Sequence, residues 1–207
     1  MARHFTENEK IEIRKRLLKS AKKLFVRYGF SKTNIQDITK EASIGKGSFY
    51  TFYNSKGDIF LEVYQTEREK IRKEIYFTHK EAQGEFSEKL YKLLHYLIDI
   101  LNSNEILRLM YEPGTLDAIM DKAVEKRLKE YNKKTNQTLL SVIDHWLGRK
   151  TEDKETEIIV GMLRAITLLR HHTSAIGPDI YDEVIESMID CIIEGITKRY
   201  NMTTDKQ

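Results

Sequence analysis

The sequence predicts an all-α protein of about nine helices. Three observations carry this prediction: only 2 prolines and 10 glycines occur in 207 residues, 32% of the residues are charged, and apolar residues recur at spacings of three and four. That spacing places apolar side chains on one face of a helix, whereas strands would alternate apolar and polar residues. The few helix breakers then mark where the helices end.

The first helix is predicted from about Glu9 to Tyr28, because one face repeats apolar residues while the cations lie elsewhere. Gly29 follows and suits a left-handed C-terminal cap. The apolar face comprises Ile13, Leu17, Ala21, Leu24, Phe25 and Tyr28.

Two short helices follow, joined by a tight turn. The second helix begins at Thr33 or Asn34, either of which can cap it, and ends near Ser43. After Ser43-Ile44-Gly45, residues 46–53 form the third helix. Two short helices joined by a tight glycine-containing turn predict a helix-turn-helix.

A second capping signal, Ser55 with Asp58, opens a long fourth helix that reaches about His79. We therefore predict a helix-turn-helix domain in residues 1–54 and a helical domain in residues 55–207. The glycines and prolines of the larger domain divide it into helices at about 85–102, 105–111, 115–147, 155–173 and 179–200.

Charge separates the two parts of the chain. Residues 1–60 carry 13 Lys/Arg and 6 Asp/Glu, net +7, whereas residues 61–207 carry 22 and 26, net −4. A basic domain attached to an acidic one is typical of a phosphate-binding module joined to a domain that does not bind nucleic acid.

Several other classes of protein are disfavoured. No run of about 18 apolar residues predicts a membrane span, and the N-terminus lacks the apolar core of a signal peptide, so we expect a cytoplasmic protein. We expect no enzyme, cofactor or metal site, because neither metal-ligand spacings nor a Gly-rich phosphate loop occur. Cys191, the single cysteine, lies among isoleucines and is expected to be a buried structural thiol.

Residues 33–56 read TNIQDITKEASIGKGSFYTFYNSK and closely resemble the DNA-binding signature of the TetR family of repressors. The match covers under a third of the chain. Thr39 stands where the family usually has alanine, and Ser43 where it usually has glycine in the turn. Both sites accept small polar residues, so we expect a slightly strained turn in an unchanged fold.

The candidate DNA contacts follow from the chemistry of a major groove, which needs short or flexible polar side chains at the start of the third helix and phosphate donors beside it. Phe49, Phe52 and Tyr53 are interpreted as core. The resemblance also implies DNA contact at Tyr50, while Thr33 could be a cap, a phosphate ligand or both. The predicted set is Thr33, Gln36, Lys46, Gly47, Ser48, Tyr50, Thr51 and Lys56.

The last two long helices carry apolar stripes that are wider than a single-sided helix needs. Part of this surface is therefore predicted to pack on a second copy of the chain, and a homodimer would present two DNA-binding domains to a palindromic operator. A wide internal core in a monomer is the alternative. The predicted interface residues are Ile159, Met162, Leu163, Ile166, Ile185, Met188, Ile189, Ile192 and Ile196.

The resemblance also implies a small-molecule effector, held in a pocket of the larger domain, that releases the repressor from DNA. A coupling of about 1 to 3 kcal/mol would change DNA affinity roughly 5- to 150-fold. A constitutive DNA-binding protein, or a regulator that senses a protein partner, is the alternative. The candidate pocket residues are Tyr96, Met110, Tyr111, His145, Trp146 and Arg164.

Overall fold

The computed structural model describes residues 5–120, 122–150, 153–169 and 173–204, and within them the chain is helical with no strand, which confirms the predicted fold class. A π-helical turn, Ile75–His79, directly follows α4. The helices of the described residues are α1 (Glu7–Lys32), α2 (Ile35–Glu41), α3 (Lys46–Phe49), α4 (Lys56–Glu74), α5 (Phe86–Ser103), α6 (Glu105–Met110), α7 (Thr115–Ile119), α8 (Lys122–Leu147), α9 (Asp153–Leu169), α10 (Thr173–Ile176) and α11 (Tyr181–Thr204).

Local signals explain where these helices begin and end. Thr6 and Glu9 form a reciprocal capping box, so α1 begins two residues earlier than the apolar pattern predicts. Gly29 has a positive φ of 77° and interrupts α1 one turn before its end. Residues 115–147 form two helices instead of the predicted one, because Met120 is extended, with ψ 117°. The short α10 is a further helix that the pattern did not predict.

The chain forms two compact units. The first contains the residues up to Lys70 together with Asn104–Tyr131, and the second contains Ile71–Ser103 and the residues from Asn132 onward. Both α4 and α8 contribute to the two units. The domain boundary predicted after Asn54 stays a prediction, and these units divide the chain along another line because α6 packs on α1.

The first unit has an aromatic core. The Phe60 ring meets those of Phe25 and Phe30 edge-on, with centroids 5.1 and 5.0 Å apart. Gly57, at the start of α4, lies against Ile119 so closely that a Cβ there would be 3.1 Å from Ile119 Cγ2. Tight packing on α7 thus fixes the start of α4.

The second unit buries aliphatic side chains from α5, α8, α9 and α11 around the π-helical turn. Its core residues are Ile75, Leu90, Leu93, Leu94, Leu139, Val142, Ile143, Ile159, Leu163, Ile166, Ile185, Ile189, Ile192 and Ile196. No helix in the described ranges combines the length and apolar character needed to cross a bilayer.

Candidate nucleic-acid interface

The helix-turn-helix is closed by short-range hydrogen bonds. Asn34 Oδ1 accepts from Asp37 N at 2.9 Å and caps α2, which selects Asn34 over Thr33 as the cap. At the other end, Ala42 N donates to Ile38 O and Ile44 N donates to Thr39 O, at 2.9 and 3.0 Å. The turn therefore fixes where α3 begins relative to α2.

Ser43 sits at the strained point of that turn. Its φ is +54°, and no other described non-glycine residue has a positive φ. A left-handed conformation costs an L-residue about 1–2 kcal/mol, a cost that glycine does not pay. The strained turn expected from serine at this position is thus present.

We expect Ser43→Gly to stabilise the protein by about 0.5–1 kcal/mol, since relief of strain exceeds the entropy that glycine adds to the unfolded chain. Urea denaturation followed by circular dichroism would measure it. Lys40→Gly, at an exposed position inside α2, is the matched control and should destabilise by about 1 kcal/mol. A lower urea midpoint for Ser43→Gly than for the wild type would contradict the strain argument.

The side chains of α3 and the turn that follows divide into an inward and an outward set. Phe49 is fully buried, Tyr53 is 2% exposed and Phe52 is half-buried, as expected for core residues. Tyr50, in contrast, is 54% exposed, and its ring is held edge-on against that of Phe49 with centroids 5.5 Å apart. The outward face of α3 is thus presented on a rigid support.

Most of the predicted DNA contacts lie on the outward face of this helix pair. Ser48 is half-buried, and no atom lies within 4 Å of a Cβ built on Gly47, so another molecule could approach its backbone closely. The exposed members of the set are Gln36, Lys46, Gly47, Tyr50 and Thr51.

Thr33 and Lys56 have internal roles that the sequence did not reveal. The Thr33 hydroxyl, 2% exposed, donates toward Gly29 O at 2.8 Å and lies 3.2 Å from Leu24 O. The Thr33 hydroxyl thus stabilises the end of α1, which argues against its predicted contact with phosphate. Lys56 Nζ donates to Phe30 O at 2.7 Å and lies 4.2 Å from that ring centroid. Burial lowers the pKa of Lys56. The phosphate contact of Lys56 stays a prediction, and the Phe30 carbonyl would compete with the phosphate for the ammonium group.

Two networks of polar side chains hold α4 in the first unit. Glu67 accepts from Lys22 on α1 at 2.9 Å, from Lys70 at 2.8 Å and from Asn104 Nδ2 at 3.2 Å. Burial acts to raise the pKa of Glu67, but the hydrogen bonds from Lys70 and Lys22 outweigh it and hold the pKa below its ordinary value. The carboxylate therefore joins α1, α4 and the residue before α6.

The second network centres on Arg127 of α8. Its guanidinium donates to Asp58 at 2.8 Å and to Gln65 at 3.0 Å, both on α4. Neither Glu67 nor Arg127 was predicted as a positioning residue. A signal for Glu67 was available, since it continues the buried positions Phe60, Val63 and Tyr64 at helical spacing. Nothing local marks Arg127.

The predicted pocket residues do not lie in one unit. Met110 is buried and Tyr111 is 42% exposed in the first unit, whereas Tyr96, His145 and Trp146 belong to the second. The side chain of Arg164 lies outside the described residues. Trp146 Nε1 donates to His79 O at 2.9 Å, while His145 is exposed and 4.0 Å from Glu81.

Most of the predicted dimer residues are buried within a single chain, which leaves little of their surface for a partner, and the interface they were assigned to stays a prediction. Met162 and Met188 are half-buried. The stripe is wide because α9 and α11 pack on α5 and on each other. The seven core residues are Ile159, Leu163, Ile166, Ile185, Ile189, Ile192 and Ile196.

The expectation of a buried Cys191 was wrong, because its side chain is exposed. It lies on the outer face of α11, in a shallow groove. The groove residues are Ile180, Glu183, Val184, Ser187, Met188 and Cys191.

Comparison with known proteins identifies the helix-turn-helix. The family model for bacterial regulatory proteins of the tetR family matches residues 17–63, which contain α2, α3 and their turn. Residues 17–63 therefore form a DNA-binding domain of the TetR family. The match runs from the middle of α1 into the first part of α4, so it includes Gln36, Lys46 and Tyr50.

Two relatives extend the similarity beyond this domain. The HTH-type transcriptional regulator YuxN of Bacillus subtilis is 25% identical over 197 residues, which cover 91% of this chain and 65% of that protein. The probable acrEF/envCD operon repressor of Escherichia coli K12 is 26% identical over 141 residues, 65% of this chain and 64% of that one. The chain thus spans slightly less than two thirds of each relative.

Two solved structures share the fold. FadR of Bacillus subtilis, in complex with stearoyl-CoA, superposes with a TM-score of 0.61 at 15% identity, over 88% of this chain and 98% of that one. RolR, in complex with resorcinol, superposes with a TM-score of 0.63 at 18% identity, over 95% of each chain.

Proposed function

We propose that this chain is a ligand-responsive transcriptional repressor that binds a palindromic operator as a homodimer and is released by a small-molecule effector. The exposed polar face of α3, on its buried aromatic support, is the observation that carries the proposal. Lys46 and Tyr50 are placed to reach phosphates and base edges when α3 enters a major groove, and Gln36 on α2 flanks them. The family match to this segment supports the same role.

The outer face of α9 and α11 supports the homodimer. Ile158 and Ile180 are 36% and 51% exposed, and Cys191, further along the chain, is also exposed. Ile180 lies just before α11, and on that helix the spacing 184, 188, 191 and 195 follows one helical face. Outside the backbone of its own helix, nothing lies within 4 Å of a Cβ built on Gly161 or Gly195. Small residues in such a stripe permit close helix approach.

A second copy of this chain is the occupant that fits. Apolar side chains stay partly or fully exposed on two helices that pack on each other, and a two-fold axis would pair this surface with the same surface of a second copy. The two helix-turn-helix domains of such a dimer, about 34 Å apart, would then enter successive major grooves, as a palindromic operator requires. The dimer residues proposed here are those outside the core: Ile158, Met162, Ile180, Val184, Met188 and Cys191.

Support for an effector comes from the relatives and from the second unit. FadR and RolR were solved with a fatty acyl-CoA and with resorcinol, so this fold accommodates small molecules of different chemistry. In the second unit, buried polar atoms interrupt the apolar core. The Glu67 and Arg127 networks tie α4 to Asn104–Tyr131, and a shift of α4 would therefore involve both.

Footprinting on promoter DNA, beginning with the region upstream of the chain's own gene, tests the proposed operator. We expect a protected palindrome whose half-sites lie one helical turn apart, bound about 10³-fold or more tightly than unrelated DNA at the same salt concentration. Uniform binding to all sequences that disappears as salt rises would contradict specific operator recognition. Unrelated DNA of equal length and composition is the control.

A further inference from the structure

The π-helical turn Ile75–His79 places a buried histidine in the second unit. His79 is 7% exposed, and its Nε2 has no hydrogen-bond partner among the described residues. Trp146 Nε1 donates to the backbone carbonyl of His79 at 2.9 Å and so fixes the turn that carries the imidazole. Single π-helical turns frequently mark functional sites, because they reorient one side chain within a helix.

A second buried polar atom lies beside this histidine. The ring of Tyr96, on α5, is 4.9 Å from the imidazole, centroid to centroid, and the Tyr96 hydroxyl oxygen is buried without a well-formed hydrogen bond to any described residue. An unsatisfied buried polar group costs about 1–3 kcal/mol. Two of them side by side are expensive unless a bound molecule can meet both.

The surroundings of the pair are apolar and aromatic. The ring centroids of Phe86 and Trp146 are 6.3 Å apart, with an angle of 78° between the ring planes, and both side chains pack against the core of this unit. Ile75, which precedes His79 in the same turn, is fully buried there. A molecule in contact with His79 and Tyr96 would therefore enter a largely apolar core, in which Glu74 is a charged neighbour.

Charges of both signs flank the pair and disfavour a charged ligand. The carboxylate of Glu74, one turn before His79, lies near enough to act on both groups and would repel an anion. On the other side, Lys80 Nζ lies 4.7 Å from the Tyr76 ring centroid and Lys89 Nζ 5.9 Å from that of Trp146. These cations cover the aromatic faces on which an ammonium ligand would stack.

The two groups are themselves neutral. Burial lowers the pKa of the His79 imidazole, and Glu74 offsets only part of this effect. Burial, together with the Glu74 carboxylate, raises the pKa of the Tyr96 hydroxyl. A neutral imidazole and a protonated phenol each can donate or accept a hydrogen bond, and a hydroxyl group complements both.

We propose that His79 Nε2 and Tyr96 Oη bind the hydroxyl group of a neutral, otherwise apolar effector, a phenol or an alcohol. This inference deepens the proposed function, on which it rests: it assigns the effector site to the second unit and gives the chemical class of its ligand. Of the predicted pocket residues, Tyr96 binds the hydroxyl group of the effector and Trp146 positions the π-helical turn. His79 was not among the predicted pocket residues.

Isothermal calorimetry on the full chain, with phenol, toluene, benzoate and benzylamine as probes, tests the class. Phenol is expected to bind roughly tenfold or more tightly than toluene, because one hydroxyl satisfies two buried atoms, and benzoate and benzylamine are expected to bind more weakly than phenol. Trp146, the single tryptophan, reports the place through its fluorescence. Phenol affinity no greater than that of toluene, or tighter binding of either charged probe, overturns the proposal.

Three variants locate the contact. Tyr96→Phe and His79→Leu should bring the phenol-to-toluene affinity ratio close to one, without loss of thermal stability, because each removes an unsatisfied group. Tyr76→Phe is the matched control: its hydroxyl accepts from Lys80 at 2.9 Å, and its loss should leave the ratio unchanged. An unchanged ratio in Tyr96→Phe refutes the site.

Footprinting separates the two levels of inference. If the chain protects a palindrome that phenols do not release but an acidic or basic compound does, the proposed function stands and the assigned ligand class is wrong. If no operator is bound at all, the proposed function fails, whereas the affinity ratio still measures the site directly.

Discussion

Replacement of Tyr50 by alanine is expected to weaken operator binding by about 1–3 kcal/mol for each helix-turn-helix domain, roughly 5- to 150-fold. A dimer loses this free energy at both of its DNA-binding domains. The reason is geometric: the ring is 54% exposed yet held edge-on against buried Phe49, so it presents a preorganised contact. Lys46→Ala should also weaken binding, and should lower the slope of log affinity against log salt by about one for each head. Fluorescence anisotropy with the footprinted operator, over a range of salt concentrations, measures both.

Tyr50→Phe divides the two ways in which this side chain could act. If the hydroxyl donates to a phosphate, the phenylalanine variant loses most of the affinity that the alanine variant loses. If the ring meets a thymine methyl, phenylalanine retains most of it. Tyr91→Ala is the matched control, because Tyr91 is 42% exposed on α5 of the second unit. Wild-type affinity in both Tyr50→Ala and Lys46→Ala would remove α3 from the interface.

The helix-turn-helix was predictable because its signals are short-range. The Asn34 cap, the glycine-containing turn and the Ser55 cap each involve residues within five positions of one another, so the partners are close together in the sequence. The strain at Ser43 was predictable too, since serine occupies a position where the TetR resemblance implies glycine. The exposed Tyr50 followed from its place outside the apolar stripe.

Long-range partners were not predictable in the same way. Lys56 has the composition of a phosphate ligand, but its ammonium reaches the carbonyl of Phe30, 26 residues earlier. Arg127 lies 69 residues from Asp58 and resembles any surface arginine in sequence. Nothing in residue type or spacing specifies such pairs; they follow from how α1, α4 and α8 pack.

The dimer surface shows a further limit of pattern analysis. Helical periodicity reveals how wide an apolar stripe is, but it does not say which part of the stripe the chain covers itself. Because α11 packs on both α5 and α9, its internal core uses Ile185, Ile189, Ile192 and Ile196. What remains for a partner is the neighbouring stripe through Val184 and Cys191.

Val184→Glu is therefore expected to dissociate the dimer while each chain stays folded. Val184 lines the outer groove of α11, and in a two-fold dimer two copies of the new carboxylate would be buried without partners. A cost of at least about 3 kcal/mol would raise the dimer dissociation constant more than 100-fold. Analytical ultracentrifugation measures that constant, and operator affinity should fall with it. Ser141→Glu, at an exposed position of α8, is the charge-matched control and should leave the dimer intact.

Ile189→Ala discriminates between the interface predicted from the sequence and the outer-face interface proposed above. Ile189 is fully buried in the core of its own chain, so its truncation should cost about 2–5 kcal/mol of folding free energy. Val184→Glu should do the reverse, with little change in the thermal stability of the monomer and a large change in association. If Ile189→Ala dissociated a fully stable chain and Val184→Glu left the dimer unchanged, the partner would contact the stripe that the sequence first suggested. The opposite pair of results would place the two-fold axis on the outer face of α11. Both replacements raise helix propensity, so a weakened helix could not explain either result.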